Sequence, residues 1–269
     1  MRPPRAFVAL TVAAHGLLPG LLLGSRTLDA AILIAYVGYH VAVGYAFVHP
    51  RARLFGANLS RLPTREKVIG LTFDDGPHPE ITPRVLDLLK ARGVRATFFL
   101  VGREAERHPE IARRVAAEGH LVGNHTFAHS YLFWAWGRGR QAEDVARAQE
   151  AIRGATGVVC RFFRAPVGLK NFLLDGVLRR TGLALVSWEV RFLDRPARRR
   201  GAPPDRGRLE RRLRRRLRPG AILALHDGHD RKPEGNPAVL DALPPLLDAI
   251  AALGYRSVRL DDVTDASSR

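Results

Sequence analysis

The chain holds one cysteine, Cys160, among its 269 residues, so no intrachain disulfide can form and a cysteine-based zinc site is excluded. It is also short of acid. Asp and Glu number 26 against 43 Lys and Arg, nearly all of the bases being Arg, for a formal charge of +17. A field of that size draws phosphates, either of nucleic acid or of an anionic membrane face. No solenoid-type repeat runs through the sequence. No oxygen ligands recur at alternate positions ahead of a closing Glu, which rules out an EF-hand. What remains is a chain long enough for one large domain and an appendage, with 46% hydrophobic residues to build a core.

Acids, Lys and Arg are missing altogether from two early stretches, "AFVALTVAAHGLLPGLLLG" (6–24) and "AAILIAYVGYHVAVGYAFV" (30–48). Each is about 19 residues, close to the length that crosses a hydrocarbon core. The first stretch also has the leading Arg2 and Arg5 of a signal peptide, but no clean small-residue cleavage site precedes a soluble domain. Two transmembrane helices are therefore expected. Arg2 and Arg5 before the pair, and Arg51 and Arg53 after it, place both outer ends on the positive-inside face. The expectation is a bacterial-type inner membrane protein whose main domain faces the cytoplasm. A first segment that only dips into the bilayer would reverse this.

Beyond residue 66, short apolar runs alternate with amphipathic segments. The strand-like runs are "KVIGLTF" (67–73), "ATFFLVG" (96–102), "HLVGNH" (120–125), "RFFRAP" (161–166), "LALVSWEV" (183–190), "AILALHD" (221–227) and "YRSVRL" (255–260). Between them "TPRVLDLLKARG", "HPEIARRVAAEG" and "QAEDVARAQEAIRG" read as helices. Strand alternating with helix implies a parallel sheet, open or closed into a barrel. The segment 195–220 carries twelve Arg against Asp205 and Glu210, with Leu209, Leu213 and Leu217 forming one apolar stripe. It fits a basic helix on an anionic membrane or a helix docked by its leucines. Nucleic-acid binding is disfavoured, because no aromatic interleaving or recognised fold motif accompanies the charge.

Four strand ends carry the chemistry. "LTFDDGP" puts Asp74 and Asp75 at the carboxyl edge of the sheet, where ligands collect in parallel α/β folds. "NHTFAH" spaces His125 and His129 as i and i+4, which suits one face of a helical turn and a shared metal ion. With Asp75 they form a two-His, one-carboxylate set, leaving Asp74 beside it to take a proton. "FFRAPVG" brings Arg164 and a Pro-kinked turn with the Val167 N–H; "LALHD" ends at His226, a candidate general acid. After His129, "SYLFWAWGRGR" crowds Leu132, Phe133, Trp134 and Trp136 together, which suits either a membrane interface or packing under a rim.

The motifs "TFDDGP", "HTFAH", "RAPVG" and "LALHD", in this order, resemble the polysaccharide deacetylase (NodB homology) family, carbohydrate esterase family four, over residues 66 to 262. The resemblance implies a distorted (β/α) barrel of about seven strands. Ahead of it lie a membrane hairpin (1–50) and a linker (51–65); the barrel takes 66–264 and a tail 265–269. It implies removal of an acyl group from an N-acylated amino sugar; the membrane segments, the aromatic loop and the altered groove add the expectation that the sugar is carried on a lipid. By position, Asp74 matches the base and Asp75, His125 and His129 the metal ligands. His226 matches the acid, Arg164 the holder of the base, Val167 the oxyanion donor and Asp194 the residue tuning His226. Zinc is the usual metal; cobalt, iron or nickel also suit the donor set. The sequence departs from the family at Val167 (usually aromatic), at Arg195 (usually Trp) and at Ala224 (usually a larger apolar residue). Those changes reshape the pocket and argue against a long chitin-like or peptidoglycan chain.

Overall fold

In the computed structural model, residues 5–16, 26–191, 206–228 and 236–264 are described. Two N-terminal helices, α1 (Arg5–Gly16) and α2 (Arg26–Val48), precede the main domain. Its strands are β1 (Val68–Asp74), β2 (Thr97–Leu100), β3 (Leu121–Asn124), β4 (Phe162–Phe163), β5 (Ala184–Leu185), β6 (Val190–Arg191), β7 (Ile222–His226) and β8 (Arg256–Val258). The connecting helices are α3 (Ile81–Lys90), α4 (Gly102–Arg107), α5 (Pro109–Ala117), α6 (Arg138–Thr156), α7 (Leu174–Arg180), α8 (Arg206–Arg216), α9 (Ala238–Ala252) and α10 (Leu260–Thr264).

Every strand pairing is parallel, and the sheet runs β5-β4-β3-β2-β1-β7-β6 with β8 added beside the start of β1. The two ends of that path, β5 and β6, belong to one chain segment, so the sheet curls back on itself as a distorted parallel barrel. The run 183–190 reads as a single strand in the sequence, yet it splits. At its centre Leu59 inserts, donating to Leu185 O and accepting from Ser187 N, both at 2.9 Å, while Val186 N still donates to Phe163 O of β4 at 2.8 Å.

Period-two alternation along β1 divides the core in two. Ile69, Leu71 and Phe73 face the helices with Phe98, Leu223 and Leu225, and the Phe73 and Phe98 rings stack at 4.9 Å. Val68 points the other way, into the barrel, with Phe99, Phe162, Val186, Trp188, Ile222 and Ala224. Gly123 is required on this inner face, because a Cβ there would lie 2.6 Å from the Phe99 ring. The leucine stripe of α8 docks: Leu209, Leu213 and Leu217 are buried in the helix-side core while Arg211, Arg212, Arg214, Arg215 and Arg216 are exposed.

Among the described residues, one helix is long and apolar enough to cross a membrane, over Ala30–Val48. The described part of the first apolar stretch forms α1, and residues 17–25 lie outside the described residues. The two helices pack together: Thr11 Oγ1 meets Tyr39 Oη at 3.0 Å, and the His15 ring packs on Tyr36, Tyr39 and His40.

Replacing Leu213 by Ala removes a fully buried anchor of α8 and should lower unfolding free energy by about 2–5 kcal/mol. Denaturant titration of the Leu213→Ala variant checks this, with exposed Arg212→Ala expected within about 0.5 kcal/mol of the parent.

Candidate active site

Asp74 is the last residue of β1 and lies in register with Phe99 of β2 and His226 of β7. Register partners in a parallel sheet share a face, so alternation aims Asp74 and His226 inward at the carboxyl end of the barrel. Asp74 is buried there and needs a partner. Arg164 supplies it from the residue after β4. Its Nη1 donates to Asp74 Oδ1 and to Thr72 Oγ1, both at 2.7 Å, and its Nη2 donates to Ser187 O at 3.2 Å. The guanidinium lies 4.1 Å from the Phe99 ring centre and 5.7 Å from that of Trp188. Burial lowers the Arg164 pKa and the adjoining Asp74 carboxylate opposes that shift. The result is a buried ion pair with the donors fixed by backbone.

Asp75 points elsewhere because its backbone turns to φ 75°. Its Oδ1 lies 3.2 Å from His125 Nε2 and 3.1 Å from His129 Nε2. Burial opposes its ionisation, yet the His125 and His129 rings, in their protonated form, hold its carboxyl well below the usual range. One ligand atom from each of the three residues falls within 4.8 Å of the others, the geometry of a metal cradle. His125 Nδ1 lies 2.8 Å from Arg164 O; a carbonyl only accepts, so Nδ1 carries the proton and Nε2 presents its lone pair to the cradle.

The two histidines do not share a helical turn, contrary to the expectation from their spacing. Residues 125–129 form a loop in which Thr126 (φ 66°) and His129 (φ 48°) are left-handed. Side chains hold it there. Thr126 N donates to Asn124 Oδ1 at 2.9 Å and His129 N to Thr126 Oγ1 at 3.1 Å. Phe127 N and Ala128 N donate to the two carboxylate oxygens of Asp144 on α6, at 2.9 and 3.1 Å. Burial pushes the Asp144 carboxyl up, with these backbone donors opposing it. Sequence reasoning missed Asp144 and Asn124.

It also passed over Asp227, the last letter of "LALHD". This carboxyl is fully buried, accepts from Thr82 Oγ1 at 2.5 Å, and its own N–H donates to Asp74 O at 3.1 Å. Burial, with the charges of Asp75 and Asp74 added, pushes its pKa up to about 7. Thr82 in turn accepts from His78 N at 2.8 Å, so this network pins the turn that follows Asp75. Gly228 is obligatory beside it, since a Cβ would sit 2.1 Å from Asp75 O. Val167 occupies a tight turn at φ 51° on the rim, over Gly168, whose missing Cβ leaves room for the Trp188 ring. Asp194 and Arg195 lie outside the described residues.

The aromatic loop after His129 is mostly packed. Phe133 is buried against Phe163, Trp136 lies under the Arg140 guanidinium at 3.9 Å, and Trp134 meets Phe47 of α2 edge-on at 5.9 Å. Leu132 alone of the four is strongly exposed, at 62%.

The profile described as polysaccharide deacetylase matches residues 61–186. A chitooligosaccharide deacetylase of Azorhizobium caulinodans is 34% identical over 201 residues, 73% of this chain and 89% of that protein. The chain belongs to the polysaccharide deacetylase family. A peptidoglycan-N-acetylglucosamine deacetylase of Bacillus cereus is 31% identical over 207 residues, 76% of this chain and 71% of its own length. Among solved structures, a family 4 carbohydrate esterase from Streptomyces lividans, in complex with acetate, superposes with a TM-score of 0.60 at 30% identity, covering 72% of this chain and 93% of that one. The enzyme class of this deacetylase family, carbohydrate N-deacetylation, is thereby that of the chain.

The Asp144 clamp gives a direct expectation. Asp144→Ala should free the 126–129 loop and weaken zinc binding about 10- to 100-fold. Calorimetric titration of zinc into parent and variant checks it, with the neighbouring Glu143→Ala as a control that should leave affinity unchanged.

Proposed function

We propose that the protein is a membrane-attached, metal-dependent N-deacetylase acting on a short N-acetylated amino-sugar glycan carried by a membrane lipid. The observation that carries the deacetylase reading is the Asp74–Arg164 ion pair lying beside the Asp75–His125–His129 cradle. The cradle fits a divalent ion: its donor set is two imidazoles and a carboxylate, and His125 is fixed in the tautomer that offers Nε2. Zinc is the natural occupant, with cobalt, iron or nickel compatible. When bound there, the metal supplies Lewis acidity to the acyl carbonyl and to water.

The chain's own groups do the rest. Asp74, oriented by Arg164, accepts a proton from the water that adds to the acyl carbon. The Val167 N–H, on its left-handed turn, is the donor assigned to the oxygen that gains charge. His226, in register with Asp74 across β1 and β7, gives a proton to the sugar nitrogen as the carbon–nitrogen bond breaks, releasing acetate and a free amine. Asp194 is assigned to orient His226.

The apolar helix α2 supports attachment to a membrane, and the Arg pairs that flank the two apolar stretches, Arg2 with Arg5 and Arg51 with Arg53, favour the cytoplasmic face for the main domain. Val167 and Ala224, smaller than the usual family residues, support a glycan other than a long crystalline chain. The peptidoglycan relatives favour a second reading, a deacetylase of cell-wall glycan outside the membrane. A reporter fused after Arg53 separates them, since a periplasmic signal supports the second.

With zinc supplied, Asp74→Asn should lower acetate release by about 10²–10⁴-fold and leave zinc affinity within about threefold. His226→Ala should lower kcat by a similar factor with KM little changed. Retained activity in both variants would remove the roles given to Asp74 and His226, and no acetate release by the parent would remove the deacetylase reading. A faster rate on soluble chitin oligomers than on lipid-linked acetamido sugars would remove the lipid-linked substrate alone.

A further inference from the structure

The segment joining α2 to the barrel reads as a linker in the sequence, but the structure ties it down at nearly every step. Phe47, in the last turn of α2, packs edge-on against Trp134 at 5.9 Å and against Phe55 at 5.0 Å. Phe55 continues to Phe172 at 6.4 Å. Lys170 Nζ donates to His49 O at 2.8 Å, placing a cation on the carbonyl end of α2, where the helix dipole favours it. Asn58 Nδ2 donates to Pro50 O and to Ala52 O. Leu59 then pairs with residues 185–187, and Arg61 Nε donates to Glu189 Oε2 at 2.8 Å. No untethered stretch between Val48 and Arg61 exceeds a few residues.

Two of the groups that receive α2 lie close in the chain to residues of the site. Trp134 follows His129 by five residues, so the chain keeps them within about 18 Å; Lys170 follows Val167 by three, within about 11 Å. Above this joint α2 is 23 residues long, about 35 Å at helical rise, enough for a hydrocarbon core. Its sides are open: Leu33, Ile34, Val37, Val41, Tyr45 and Val48 are all exposed.

We infer that the joint of Phe47, Phe55, Trp134, Lys170 and Phe172 is a rigid mount that holds the mouth of the active site against the bilayer surface, so that the enzyme selects glycans by their distance from the membrane. The inference rests on the membrane-attached deacetylase reading and deepens it. The span acts as a fixed stand, and sugars close to their lipid anchor come within reach of Asp74 and His226. Leu132, exposed two residues before Trp134, marks the part of the rim that meets the headgroups.

Leu132→Cys provides the probe, because Cys160 is buried, its thiol is pushed up to about 12 by that burial, and it will not compete for label. The full chain carrying a fluorophore at this position is placed in vesicles of phosphatidylcholine and phosphatidylglycerol with a quencher on the lipid headgroup. Strong quenching is expected, reduced at least twofold by a twelve-residue Gly/Ser insert after Val48 combined with Trp134→Ala. In parallel, the zinc-supplied protein without label is given diacetylchitobiose on a dialkylglycerol in those vesicles, and soluble chitotetraose. The undocked variant should lose at least tenfold on the first and stay within about twofold on the second. Absence of quenching in the docked protein, or equal losses on both sugars, would overturn the mount. Release of acetate from neither sugar by the parent chain would overturn the deacetylase reading instead, while the quenching still judges the mount.

Discussion

The site is organised around one buried ion pair. Asp74 sits at the carboxyl end of the central strand, out of water, where a polar group needs a partner. Arg164 makes its charge tolerable with a 2.7 Å hydrogen bond, and is itself satisfied by Thr72 and by the Ser187 carbonyl. Phe99 and Trp188 wall the pair from the interior side. Such a pair contributes little net stability, because desolvating both ions offsets their attraction, while losing one partner is costly. In the proposed function its value is chemical, as it holds the proposed base at a defined place. Arg164 has a second contact through its backbone, since its carbonyl fixes the His125 tautomer. One residue thus touches both the proposed base and a residue of the candidate metal cradle.

Strain is concentrated at the same place. Among the described residues, the non-glycine residues at positive φ are Asp75, Thr126, His129 and Val167. Each such conformation costs on the order of 1–3 kcal/mol, and Thr126, β-branched, is the least suited to it. All four belong to the cradle, to the loop that carries it, or to the assigned oxyanion turn. Asp144, Asn124, Thr82 and Asp227 hold these turns by hydrogen bonds, which is how the fold sustains geometries that the residues would not adopt alone. The cradle is a product of loop clamps on a rigid sheet.

Much of this was legible in the sequence. The four strand-end motifs bring Asp74, Asp75, His125, His129, Arg164 and His226 to one end of a parallel barrel, because parallel strands put all their carboxyl ends together. The leucine stripe of α8 likewise told which side would dock. Other features were hidden for physical reasons. Asp144 reads as an ordinary acid on an amphipathic helix, and only the fold shows it facing two loop amides 16 and 17 residues upstream. The i, i+4 histidine spacing suggested a helix because spacing carries no φ. The strand 183–190 splits because Leu59, far away in the chain, takes part of its backbone. The aromatic loop suited either an interface or packing, and Trp134 packs on Phe47, a contact across 87 residues that no local pattern announces.

The central claim is that Asp74 and Arg164 act as one catalytic unit, and a double-mutant cycle on acetate release tests it most directly. Asp74→Asn, Arg164→Met and the double variant are assayed on a soluble N-acetylglucosamine oligomer with zinc supplied and folding checked by thermal melting. The account predicts that each single change lowers kcat by about 10²-fold or more and that the double variant is no slower than the worse single one. Losses that multiply, with Arg164→Met acting independently of Asp74, would contradict it.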